Sequence, residues 1–417
     1  ALQNMTSATS ADTYNVGVGY NAGLTITSGV KNTLLGGLSG DALTAGGENL
    51  ALGYDALGAD TQGSHSVAVG PSALRTQNFS TATDAFNTAV GSFAMYANTT
   101  GAENTAVGRA ALQANTTASA NTAVGTNALL VNTTGTGLCA IGRQALIANT
   151  TANFNTAVGA EAMDTNTTGH SNTAVGYAAM DANTTGNYHT AVGRGALAST
   201  TTATNNTGIG YNALTDCTTG YENTAVGDEA GGSVTTGIQN VFVGQRSGNY
   251  TTSVTDGNYN THLGMVTIAS SSGADHEIVI GRAITGKGSQ TAMIGGNSGA
   301  YNGANSSSWS TTSDRRIKKN IEDNNTGLDA IKEIQVKNFE YRTEDEITDF
   351  ENPTSAVVHK EGIQLGVIAQ DIETILPDMV TTQSTGVKAV NPDNMTWYLV
   401  NAVKELSTQV EELKTEI

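Results

Sequence analysis

A five-residue phrase, Asn-Thr-Ala-Val-Gly or a close variant, returns along the chain at a fixed interval. Its closing glycine falls at Gly19, Gly36, Gly53, Gly70, Gly91, Gly108, Gly125, Gly142, Gly159, Gly176, Gly193, Gly210, Gly227, Gly244, Gly264, Gly281 and Gly295. Most steps are 17 residues; the exceptions are 21 (70 to 91), 20 (244 to 264) and 14 (281 to 295). The extra residues lie between the phrases, as loop insertions do on one edge of a regular stack. A chain held to this period repeats one supersecondary unit and buries each copy against the next.

Each unit has the same internal order. Thr and Val favour a short strand in the phrase itself. An Ala-Leu pair follows, as at Ala111-Leu112, Ala128-Leu129, Ala145-Leu146, Ala196-Leu197 and Ala213-Leu214, and then Asn-Thr-Thr-Gly or a variant, a turn signal. Gly and Asn-Thr-Thr recur too often for a continuous helix; the Ala-Leu segment reads equally as one helical turn or a second strand. Stacked at ~4.8 Å per layer, seventeen units span about 80 Å. The pattern predicts Val ladders in the core, Gly at a tight corner, and Asn amides bonded to their copies in adjacent coils. Small Ala and Gly on the core side make the coil thin, so several chains are expected to share one axis.

Composition enters as a choice between two states. Of the 417 residues only 13% are charged and 5% aromatic, with 49 Gly and 4 Pro. Such a chain is either disordered or a stack of small residues, and the period selects the stack. The net charge is −18, and residues 313–417 hold 20 of the 37 acidic and 11 of the 19 basic side chains. Neither part offers a basic face, so nucleic acid and anionic membranes are excluded as partners, while neutral sugars remain. Cys139 and Cys217 stand without Cys or His at ligand spacing, which argues against a disulfide framework and a zinc site and for two small buried side chains. No apolar run approaches the ~20 residues of a membrane span, so no membrane insertion is expected; nothing calls for a cofactor or metal.

These repeats resemble the SVAIG-type repeats of trimeric adhesin heads, although those are usually shorter, and are similar to the shafts of phage tail fibres. The resemblance implies a mainly β fold, a trimeric parallel β-roll or β-helix-like solenoid over residues 15–296 after a lead-in at 1–14.

The period ends near Asn297, and residues 297–312 read as a Gly/Ser/Asn linker. From Ser313 charge density rises and the pattern becomes α/β. Leu328, Ile331 and Ile334 are at helical spacing, Val336–Arg342 reads as a strand, and Ile363–Val380 reads as a strand at Gly366–Ala369 followed by an amphipathic helix to Leu376, stopped by Pro377. Over residues 396–417, Leu399, Val403, Leu406, Val410, Leu413 and Ile417 alternate steps of 4 and 3, a heptad seam flanked by Lys404, Glu405, Glu411, Glu412 and Lys414. A helix packed on its own domain is the competing reading of that seam.

Three motifs now stand in order: Ser313-Asp314-Arg315-Arg316-Ile317-Lys318 with Asn320-Ile321, then Gly366-Val367-Ile368-Ala369-Gln370-Asp371 with Leu376-Pro377, then the closing helix. Together they strongly resemble the intramolecular chaperone domain of phage endosialidases, tail spikes and tail fibres, over residues 313–417. The resemblance implies a small α/β domain (313–395) ending in a trimeric coiled-coil helix (396–417), which trimerises, guides folding of the preceding fibre and cuts itself off. It places the nucleophile at Ser313 and its activating base at Lys318. A serine hydroxyl needs a base to take its proton, and a lysine serves only when neutral, through desolvation or neighbouring cations such as Arg315, Arg316 and Lys319. Scission falls at Thr312–Ser313 if Ser313 attacks the carbonyl before it; Ser313–Asp314 is the other candidate bond. The plain alternative is a helix N-cap at Ser313 with a basic first turn.

The function expected is that of a homotrimeric virion appendage of the tail-fibre type, binding a host cell-surface receptor, with glycans among the candidates, and joined at its N-terminal side to other tail proteins. A bacterial trimeric surface adhesin is the alternative, at an extracellular location. A polysaccharide-degrading spike ranks below both, because the repeats show no evident acidic pair.

Overall fold

The computed structural model describes residues 13–295, 300–302, 315–347, 361–382 and 387–416. The chain divides into two compact units, residues 1–312 and 313–417.

The first unit is a parallel β-solenoid. Three-residue strands from Val16–Val18 to Ala292–Ile294 pair in parallel, each with the same phrase of the next coil: Thr156 faces Thr173, Ala157 faces Ala174 and Val158 faces Val175. Within the stretch read as a linker, Ala300–Asn302 adds one antiparallel strand to Ala292–Ile294. The four extra residues before Gly91 accompany a local pairing of Thr83–Asp84 with Gly63–Ser64, off the main sheet.

The core is not built of valine. In Thr-Ala-Val the central Ala is buried and the flanking Thr and Val face outward, partly exposed. The reason is the strand period of two: Thr and Val share one face and Ala takes the other. The interior therefore consists of two alanine columns, such as Ala157 with Ala174 and Ala162 with Ala179, and a Leu/Met column through Leu112, Leu129, Leu146, Met163, Met180, Leu197 and Leu214. The Ala-Leu segment is neither a helical turn nor a strand. It is a run of turns in which the Leu or Met takes a left-handed conformation, as Leu146 does at φ 52° and Met163 at 53°.

Volume is conserved across columns rather than within them. Phe242 replaces the strand alanine, and the neighbouring Leu positions are then Gly231 and Gly248, where any Cβ would collide with the Phe242 ring. Leu34 and Gly40 make the same exchange near the start. A close-packed interior tolerates a large side chain only where another has been removed.

The asparagines form the expected ladders. Asn104 Oδ1 accepts from the Asn121 backbone N–H at 3.0 Å, while Asn104 Nδ2 donates to the Ala118 carbonyl at 2.9 Å. Asn172 repeats this with His189 N–H and the Gly186 carbonyl. A second buried ladder runs amide to amide through Asn98, Asn115, Asn132, Asn149, Asn166 and Asn183. Each asparagine satisfies backbone groups that the turns leave unpaired.

His189 stands in for one asparagine. Its Nδ1 accepts from Asn206 N–H at 3.2 Å and its Nε2 lies 2.8 Å from the Ala203 carbonyl, which assigns the neutral ring with its proton on Nε2. Burial pushes its pKa down. Burial also lowers that of His262, beside the Phe242 ring, to about 4. The unfolded chain therefore binds more protons than the folded one between the ordinary imidazole value of about 6.5 and about 4, so stability rises with pH across that window. For His262 the loss on acidification to pH 4 is on the order of 3 kcal/mol. Chemical denaturation at pH 7 and pH 4.5 tests this. His262→Leu is expected to lose less stability than wild type on acidification, and equal losses would refute the assignment.

Of the two cysteines, only Cys217 is buried, with its thiol pushed up to about 12 by desolvation. Cys139 occupies an outward strand position and is half-buried, because it replaces Thr and not Ala.

The second unit has a small core of Ile372, Leu376, Met379 and Tyr398. Helix α1 (Leu328–Glu333) and helix α2 (Ala369–Ile375) lie near the predicted positions. The strand predicted at Gly366–Ala369 lies instead at Gln364–Gly366, antiparallel to Lys337–Phe339, and α2 begins at Ala369. Leu376 caps α2, and Pro377 opens a 3-10 turn. Helix α3 spans Met395–Glu416.

Candidate functional site

The predicted cleavage residues Thr312, Ser313 and Asp314 lie outside the described residues. Immediately after them, Arg315–Ile317 form one 3-10 turn, closed by Lys318 N–H donating to the Arg315 carbonyl at 3.3 Å. Arg315, Arg316, Lys318 and Lys319 are all exposed.

The predicted heptad seam lies on α3, which presents two faces. One packs on its own unit. Tyr398 and Ala402 are buried, Tyr398 Oη donates to Asp378 Oδ2 at 2.6 Å, Asn401 Nδ2 donates to the Asn324 and Thr326 carbonyls, and Glu405 Oε2 accepts from Leu328 N–H at 2.9 Å. The Glu405 carboxylate thus caps the start of α1. The other face carries Leu399, Val403, Leu406, Val410 and Leu413, 43–65% exposed. Ile417, the last seam position, lies outside the described residues. The residues that dock α3 on its own unit are therefore not those of the seam, and the seam stays uncovered in the single chain.

A second apolar stripe is not among the sequence-based expectations. Because Val faces outward, residues such as Val107, Ile141, Ile209, Val226 and Leu263, all about 40% exposed, form a column along the outer face of the parallel sheet. Its signal is present in the Thr-Ala-Val alternation, which fixes Thr and Val to the same side.

Among the described residues no group of three or more His, Cys, Asp or Glu is placed to hold a metal, and no helix is long and apolar enough to cross a membrane. No curated protein and no solved structure matches the chain. Residues 313–381 match the family described as chaperone of endosialidase, so this C-terminal segment, joined to a parallel β-solenoid, is similar to that chaperone.

Proposed function

We propose that the chain is the shaft and assembly domain of a homotrimeric virion fibre of the tail-fibre type, which binds a host cell-surface receptor and is joined to other tail proteins at its N-terminal side. The observation that carries this reading is the direct succession, in one chain, of a 17-residue-period solenoid and a chaperone-of-endosialidase match. Two uncovered apolar stripes support the trimer: the α3 seam and the outer Val/Ile/Leu column. The column repeats at the coil spacing, and a second copy of the same chain has that spacing along its whole length. Contiguous apolar surface of this extent is costly to leave in water.

Self-cleavage belongs to the same proposal. With its amine neutral, Lys318 takes the Ser313 hydroxyl proton, and Ser313 Oγ attacks the Thr312 carbonyl carbon. The Thr312–Ser313 C–N bond breaks as the Ser313 amine leaves with the proton from Lys318. Water then hydrolyses the ester and frees residues 313–417. Burial of Lys318 between assembled chains would supply the desolvation that the single chain lacks, which ties cutting to assembly.

The test compares wild type, Ser313→Ala and Lys318→Met by denaturing gel and intact mass. Wild type is expected to yield two fragments divided at Thr312–Ser313 after assembly, Ser313→Ala to stay whole, and Lys318→Met to cut at least ~100-fold more slowly, the usual effect of a lost general base. A wild-type chain still intact after prolonged incubation as an assembled trimer would sink the cleavage proposal. Division at Ser313–Asp314 would reject the attack written here.

A further inference from the structure

The solenoid carries a hollow of about 310 Å³ lined by Thr151, Ala152, Asn153, Phe154, Thr168 and His170. It lies where the Asn-Thr-Thr turn passes into the next strand. Phe154 forms one wall and is 67% exposed. The His170 ring forms the other wall, with Tyr188 against it edge-on at 5.2 Å and 88°. Tyr188 is itself 58% exposed.

Three features of this hollow bear on what it can hold. The first is a pair of exposed rings at a turn position whose backbone is left-handed in coil after coil, as at Glu48, Glu103 and Tyr259. Phe154 and Tyr188 adopt left-handed conformations, at φ 58° and 61°. Neighbouring coils fill the same position with Gly137, Ser171 and Asn205. Glycine and asparagine enter that region cheaply, whereas a bulky aromatic incurs a strain of about 1–2 kcal/mol and still leaves its ring in water. The Phe154 ring lies over Gly137 of the preceding coil, where a Cβ would come within 2.8 Å of it, and it keeps most of its surface in water.

The second feature is hydrogen-bonding capacity. Asn153 Oδ1 is engaged by Thr136 N–H and Oγ1, which fixes the amide and leaves its Nδ2 without a protein acceptor among the described residues. The Thr151 and Thr168 hydroxyls likewise have no protein partner there, in contrast to Thr150 and Thr167, whose hydroxyls bond to the next coil. His170 Nδ1 meets Ser171 Oγ at 3.3 Å, which leaves Nε2 for a ligand. The third feature is charge: none of the six lining side chains is an acid, an arginine or a lysine.

A ligand suited to this hollow is small, uncharged, rich in hydroxyls, and apolar on one face. We infer that the Phe154–His170 hollow binds a single neutral sugar ring, such as one hexose or N-acetylhexosamine unit of a surface glycan. The C–H face of the pyranose would lie on Phe154, and its hydroxyls would meet Asn153 Nδ2, Thr151, Thr168 and His170 Nε2. The volume is at the low end for ligand sites, which fits one ring and not a chain held along its length. Phe154 stands just before the Thr end of its strand, and the Val/Ile/Leu column proposed for chain contact runs along the Val end.

The inference deepens the receptor-binding reading above. Its test is saturation-transfer NMR on the full chain with methyl α-glucoside, methyl β-galactoside, N-acetylglucosamine and, as the charged comparison, N-acetylneuraminic acid. Irradiation of aromatic protons is expected to transfer to the ring C–H protons of at least one neutral sugar. Phe154→Asn, which keeps the left-handed backbone as Asn205 does, is expected to reduce the signal at least fivefold, and Asn153→Ala to reduce it as well. Phe86→Asn, another exposed ring in an equivalent turn, is expected to leave it unchanged. The inference fails if no neutral sugar gives transfer, if only the anionic sugar does, or if the signal survives Phe154→Asn. Light scattering on the same samples separates the two readings. An assembled trimer without sugar transfer overturns this site alone, and sugar binding by a stable monomer overturns the trimer alone.

Discussion

Replacing Gly176 with alanine is expected to break the solenoid in its middle. Gly176 holds φ +144°, and a Cβ there would sit 2.6 Å from the Gly193 carbonyl carbon, with the carbonyl oxygen closer still. Ordinary contacts begin near 3.4 Å, so one of two hydrogen-bonded coils must move. The backbone conformation alone costs an L-residue about 1–3 kcal/mol. With the clash added, the expected loss is at least ~3 kcal/mol. In a stack whose units touch only their neighbours the damage is local first. Hydrogen exchange should show protection lost at Thr173–Val175 and Thr190–Val192 before the ends of the solenoid respond. A Gly176→Ala chain with unchanged melting temperature and unchanged protection at those strands would refute the argument.

Leu406→Asp is expected to abolish the trimer. The side chain is 50% exposed in the single chain and sits at the middle of the seam. In an assembled coil three aspartates would meet on one axis. Each chain would lose the burial of a leucine, about 1.5–3 kcal/mol, and place an unpaired carboxylate in an apolar environment. Summed over three chains this exceeds what so short a seam gains. The native mass should fall from three chains to one. Thr408→Asp, two residues on and off the seam, should stay trimeric. A trimeric Leu406→Asp would mean that the α3 seam is not where the chains meet. Because cleavage is proposed to need assembly, the same substitution should also leave the chain uncut, while Thr408→Asp should cut like wild type.

The repeat is legible because a stack demands sameness. A residue at a given phrase position meets its own copies above and below, so its chemistry is written many times. Asn172 is readable as a ladder residue because Asn104, Asn121, Asn155 and Asn223 stand at the same place and make the same bonds. Which residues face inward is harder to read. Hydrophobicity assigns valine to the core, yet a three-residue strand offers a single inward position, and the thin coil has room there only for Ala157 and its copies. The left-handed turns at Leu146 and Met163 are illegible for a related reason: leucine and methionine give no local signal for that conformation, and only neighbouring coils hold them in it. The hollow at Phe154 is illegible too, because it is formed by two coils and not by one.

In the C-terminal unit the seam of α3 is plain from its 4-and-3 spacing, but spacing alone does not tell an intrachain face from an interchain one. Tyr398 and Ala402 settle the first turns, since they pack inward at positions next to the seam and leave Leu399 and Val403 outside. The sequence alone determined the period, the parallel stacking of like on like, and the point where the repeat gives way to an α/β domain. These depend on order along the chain and on the hydrogen bonds that any stack of identical strands must make. The tertiary structure alone decided which side of each strand is interior, where Phe242 takes the space left by Gly231 and Gly248, and which apolar stripes stay uncovered. Those depend on the width of the coil, which no single unit contains and which exists only when the units are laid on one another.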